Sequence, residues 1–174
     1  MRLDFLRKSN LRFLNSAFWE DLAFTYEMVP RVSKAVLLSK ITYHYLCRTG
    51  SLSHYQNRDM LKKTEIIENV SVLDYLKGKI AMFVGRPFLP YYCYNLEMNS
   101  FYLVCYILKY YQRIVPVISK HEMQKILWFP VNSWQILLFR HKRLQNMFLW
   151  GLSRIPSSLS LFFVRLLGKM KKVI

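Results

Sequence analysis

The run Leu96–Ile114, "LEMNSFYLVCYILKYYQRI", constrains the fold of this 174-residue chain more than any other stretch. It is apolar nearly all round at helical spacing, so it reads as a buried or docked helix. No membrane span is expected. The longest uncharged run, Ile126–Phe139, falls short of the ~18–20 residues a spanning helix needs. The N-terminus "MRLDFLRKSN" has no apolar stretch of the kind a signal peptide carries. The chain is 53% hydrophobic, enough apolar material for a core, which argues against general disorder.

Twenty-six Lys and Arg against ten Asp and Glu give a formal net charge of +16. That balance calls for an anionic partner: nucleic acid, acidic phospholipid or phosphorylated small molecules. The last acid is Glu122, so the excess is concentrated toward the C-terminus. Cys47, Cys93 and Cys105 are far apart and odd in number. They read as reduced thiols rather than a disulfide frame. The four histidines are scattered and no CxxC occurs, so no zinc site is expected.

Local signals divide the chain at residue 79. "RLDFLRKSNLRF" predicts a short helix ending near Ser9-Asn10. "EDLAFTYEMVPRV" predicts a helix that stops near Val29, because the residue before Pro30 avoids the helical region. Residues 35–46 alternate β-branched and aromatic side chains and predict one or two short strands. "CRTGSLSH" reads as a loop. Residues 57–79 predict an amphipathic helix with Met60, Thr64, Ile67, Val70 and Leu73 on its apolar stripe and Gly78 as its end signal. Residues 80–174 predict further helices, broken at prolines. The last, "SLSLFFVRLLGKMKKVI", sets Leu159, Phe162, Phe163, Leu166, Leu167 and Met170 on one side and Arg165, Lys169 and Lys172 on the other. That is the pattern of a basic amphipathic helix, suited to an anionic membrane surface or equally to a packed extension with a solvated basic face.

The acidic pair Glu20-Asp21 lies in the first turn of its helix, between Trp19 and Phe24. Acids there stabilise a helix by a few tenths of a kcal/mol with no chemistry involved. The wider context adds a second reading. Phe13, Trp19, Glu20, Asp21, Leu22, Phe24, Tyr43, Tyr45, Arg48, Gly50, Ser51 and Ser53, in that order and spacing, resemble the second half of the catalytic domain of glycosyltransferase family 2. The resemblance covers about residues 1–75.

The resemblance implies an α/β remnant of a GT-A glycosyltransferase domain over residues 1–79, short strands plus helices. A mainly helical basic extension, suited to membrane association, is expected over residues 80–174. It implies sugar transfer from a nucleotide-sugar donor to a cell-surface polysaccharide or lipid-linked acceptor. Asp21 would be the general base that takes the acceptor hydroxyl's proton, and Glu20 would orient it or bind acceptor hydroxyls. Trp19 would offer a flat wall to a sugar ring. Arg48 would fork onto the donor diphosphate, with Ser51, Ser53 and His54 in a loop closing over the donor. An ordinary solvated turn accounts equally for Arg48–His54. Tyr43 and Tyr45 suit strand packing as well as ligand contact.

Family members also carry a DxD motif whose aspartates engage a divalent metal, Mg or Mn. Asp4, Asp21, Asp59 and Asp74 contain no such pair. The chain is therefore expected to bind no cofactor itself, to lack the nucleotide-binding half and to be inactive alone. Its expected location is cytoplasmic, free or peripheral on the inner face of the cell membrane. The alternative is a non-catalytic basic protein that binds membrane surfaces. Nucleic acid is suggested by charge only, with no zinc spacing, RNP-type aromatic motif or clean helix-turn-helix.

Overall fold

The computed structural model describes residues 3–34, 36 and 60–174. Among them are eight α-helices: α1 (Leu3–Lys8), α2 (Glu20–Met28), α3 (Lys63–Gly78), α4 (Leu89–Lys109), α5 (Lys120–Leu127), α6 (Ser133–Leu137), α7 (Arg143–Arg154) and α8 (Ser157–Met170). Two strands of two residues each, β1 (Leu61–Lys62) and β2 (Ile114–Val115), pair in parallel, Leu61 opposite Ile114.

The expected α/β remnant is corrected by this architecture. The described residues form a helical assembly with one minimal sheet. The reason is periodic: from residue 63 onward the buried positions recur at three- and four-residue steps, which puts them on helix faces rather than on one side of a strand. The strand expected at residues 35–46 falls, apart from Val36, outside the described residues.

Helix α4 is the hub. It packs against α3, α5, α7 and α8, and Cys93, Leu96, Val104, Cys105 and Ile107 along it are fully enclosed. Its apolar sequence thus meets cover on most sides, while Tyr91, Asn95, Tyr102 and Lys109 leave one stripe exposed. Pro90 sits in its first turn, where a missing N–H breaks no helical bond.

Polar contacts fix the cover to the hub. Ser119 and Glu122 form a reciprocal capping box at the start of α5, and Glu122 also ion-pairs with Lys63 at the start of α3. The Lys63 hydrogen bond, with those from Ser119, holds the Glu122 carboxyl down at about 2. Asn146 of α7 is buried and donates to the carbonyl of Pro90 at 3.1 Å. Gln124 donates to the carbonyls of Ser153 and Ile155 where α7 gives way to α8.

Two helix faces depart from the sequence expectation. In α3 the buried face is Ile66, Asn69, Val72, Leu73, Leu76 and Lys77, while Thr64 and Ile67 point to solvent. The helix also begins at Lys63 rather than residue 57, after the short strand. In α8 the core is met by Ser160, Leu161, Val164 and Gly168. Of the expected apolar stripe only Leu167 packs against the core, and Phe162 and Met170 are 60% and 72% exposed.

Candidate functional site

Trp19 adopts a left-handed backbone conformation, φ 57° and ψ 21°. This turns the chain abruptly into α2, and the Trp19 carbonyl accepts from Ala23 N–H at 3.0 Å as the first helical bond. The side chain of Trp19 packs partly against the core. Glu20 and Asp21 therefore occupy the first turn, as their sequence position predicts. Asp21 is exposed, and its Oδ1 accepts from the Leu22 N–H at 2.7 Å. Among the described residues its Oδ2 has no hydrogen-bond donor.

Helix α2 is held firmly by its inner face. Asn99 of α4 donates to the Tyr26 hydroxyl at 2.9 Å, and the Tyr26 ring meets Tyr92 edge-on at 5.2 Å. Glu27 accepts from the Tyr75 hydroxyl and ion-pairs with Lys79 at 3.0 Å and Arg31 at 3.3 Å. Burial pushes the Glu27 carboxyl up. The Tyr75 and Lys79 hydrogen bonds and the two cations outweigh it, so the group lies below its ordinary value. Burial pushes the Tyr26 hydroxyl up to about 12. On the outer side Phe13 stacks on Phe24, ring centres 4.4 Å apart.

Beside this helix start lies a cleft of about 390 Å³. One wall is Leu14–Ala17, the segment that leads into Trp19; the other is α3, with Glu68, Ser71 and Tyr75. Among the described residues, the buried Glu68 Oε2 has no hydrogen-bond partner. A carboxylate oxygen with nothing to accept from is primed for a donor such as a hydroxyl. Sequence reading missed Glu68. It sits off the stripe predicted for its helix, and only the docking of residues 14–17 on α3 turns it inward.

The other predicted binding residues, Arg48, Ser51, Ser53 and His54, lie outside the described residues, as do Tyr43 and Tyr45. Among the described residues no group of three or more His, Cys, Asp or Glu could hold a metal ion. They do not fit the divalent ion that the family resemblance implies. No described helix is long and apolar enough to cross a membrane. No family model, curated protein or solved structure matches the chain.

Proposed function

We propose that this chain is part of a glycosyltransferase that moves a sugar from a nucleotide-sugar donor to a cell-surface polysaccharide or lipid-linked acceptor. The observation that carries the reading is the acid pair. Asp21 stands exposed at the start of a well-anchored helix, four residues after Ala17, the last residue of the segment that walls a hydroxyl-lined cleft. The family-like order from Phe13 to Ser53 surrounds it.

In this role Asp21 Oδ2 takes the proton of an acceptor hydroxyl as that oxygen attacks the anomeric carbon. The new glycosidic C–O bond forms as the bond to the nucleoside diphosphate breaks, and the diphosphate leaves with the electron pair. A positioned carboxylate contributes about 10²–10⁴-fold by this route. Glu68, Ser71 and Tyr75 offer hydrogen bonds to a sugar's hydroxyls. In this reading Arg48, Ser51, Ser53 and His54, outside the described residues, belong to donor binding, and the nucleotide-binding half is supplied by the rest of the enzyme. The reading puts the work at the inner face of the cell membrane, where lipid-linked acceptors reside.

The test is genetic complementation with mass spectrometry of lipid-linked glycans. Cells lacking the chain should lose one sugar addition. The complete enzyme that contains this chain should restore it and its Asp21→Asn variant should not. Restoration by Asp21→Asn to the wild-type level would overturn the assignment and favour a non-catalytic membrane-surface protein.

A further inference from the structure

The apolar stripe of α8 faces away from the core. Leu159, Phe162, Phe163, Leu166 and Met170 recur three and four residues apart, share one face and are all exposed. Arg165 and Lys169 border that face and are exposed too. Helix α7 adds apolar surface of its own, where Leu144 is 78% exposed and Phe148 is half exposed. Between the two helices runs a groove of about 350 Å³ with Leu144, Phe148 and Leu149 on one wall and Leu167 and Lys171 on the other. Aromatic and aliphatic side chains this exposed and contiguous mark an interaction surface.

We propose that the outer face of α7 and α8 docks on an anionic phospholipid bilayer, lying in the interface rather than crossing it. This names the surface behind the peripheral-membrane part of the reading above, and it does not depend on Asp21.

Charge selects the occupant. No acid follows Glu122, while Arg140, Lys142, Arg143, Arg165, Lys169, Lys171 and Lys172 all do. A second copy of the chain would set like charges against each other. A nucleic acid would satisfy the cations and leave Phe162, Phe163 and Leu166 with no apolar partner. A bilayer interface meets both demands: acyl chains take the apolar side chains and anionic headgroups take the basic border.

The geometry of α8 fixes its rotation. The small residues Ser160 and Gly168 face inward. A Cβ at Gly168 would meet Cys105 Sγ of α4 at 3.1 Å. Close approach on that side leaves the bulky side chains outside.

The test is flotation of the full chain with vesicles of phosphatidylcholine alone and of phosphatidylcholine and phosphatidylglycerol in equal parts. Binding is expected on the anionic vesicles and not on the neutral ones. Phe162→Ser with Leu166→Ser should weaken it about tenfold or more, and Arg165→Gln with Lys169→Gln about fivefold per cation. Circular dichroism should show unchanged helicity in both variants, because all four side chains are exposed. Three results would overturn the proposal: equal binding to both vesicles or to neither, variants that bind as wild type, or a wild-type dimer dissolved by the Phe162→Ser pair with no vesicle binding. Salt-sensitive binding to a single-stranded oligonucleotide in place of vesicles would assign the face to nucleic acid instead.

Discussion

The ammonium of Lys77 reaches through the core and donates to the carbonyl of Trp128 at 2.8 Å. It donates to the carbonyl of Ile126 at the same distance. Both carbonyls lie at the C-terminal end of α5, where helical carbonyls lack partners and a cation is favoured. One buried side chain thus ties α3 to the end of α5.

Replacing Lys77 with Met should therefore destabilise the protein by about 2 kcal/mol, since each orphaned buried group costs about 1–3 kcal/mol. Urea unfolding followed by circular dichroism would measure it. A midpoint unchanged from wild type would show that water replaces the ammonium without cost.

Glu97 of α4 is buried, and among the described residues neither carboxylate oxygen has a hydrogen-bond partner. Burial pushes its carboxyl up to about 9, against an opposing pull from Lys77. Burial pushes Lys77 down to about 8, opposed by Asp74 and Glu97. The signs follow from proton counts. From the ordinary 4.5 of a free carboxyl up to about 9, folded Glu97 keeps a proton that the unfolded chain has released. Stability then falls with rising pH, by up to about 1.4 kcal/mol per unit. From about 8 to 10.5, folded Lys77 has lost a proton that the unfolded chain retains, so its contribution rises with pH. The two oppose each other between about 8 and 9. Urea midpoints should decline from about pH 5 to about pH 8, and Glu97→Gln should flatten that decline.

Cys93 and Cys105 are free thiols enclosed in α4. Burial pushes the Cys93 thiol far up, and pushes the Cys105 thiol up to about 12 against the pull of Lys171. The thiolate is the reactive form, so both should resist labelling. In a Cys47→Ser variant, a maleimide should leave the native chain unmodified and modify both remaining thiols in denaturant. Rapid labelling of the native variant would contradict the enclosed placement.

Gly168→Ala should destabilise the protein by about 1–3 kcal/mol through overpacking. The added methyl would meet Ile174 Cδ1 at 2.6 Å as well as Cys105. Trimming that neighbour with Ile174→Ala in the same chain should recover part of the loss, as thermal melts of the single and double variants would show.

Arg154 donates to the carbonyl of Phe129 at 3.0 Å and stands over the rings of Trp128 and Trp150 at 5.2 and 5.3 Å. A planar guanidinium stacks where a lysine ammonium does not. Arg154→Lys should cost about 1 kcal/mol and change the tryptophan emission spectrum.

Much of the local structure was legible in the sequence because its causes are local. Helices α2 and α3 end near the expected positions, at Met28 and Gly78, although Val29 before Pro30 stays helical, φ −55° and ψ −44°, and a 3-10 turn carries the chain on to Arg31. Glu20 and Asp21 open α2 as acids at a helix start do, and the all-round apolar run becomes the largely covered α4. The α/β class implied for residues 1–79 fails because the described residues there form α1, α2 and α3, and the remainder is helical too. The candidate site was half legible. The acid pair was visible as a motif, but Glu68 gained its place only when residues 14–17 docked on α3.

The sequence by itself determined that α8 has an apolar face and a basic one; periodicity alone says so. Only the tertiary structure decided which face is covered. The contest was settled by shape, because Ser160, Val164 and Gly168 let α8 close on α4, whereas Phe162, Phe163 and Met170 would hold it away. The same holds for Lys77 and Glu97, which composition counts among solvated charges. Their burial follows from the packing of α3 on α4, a contact between segments that no local pattern specifies.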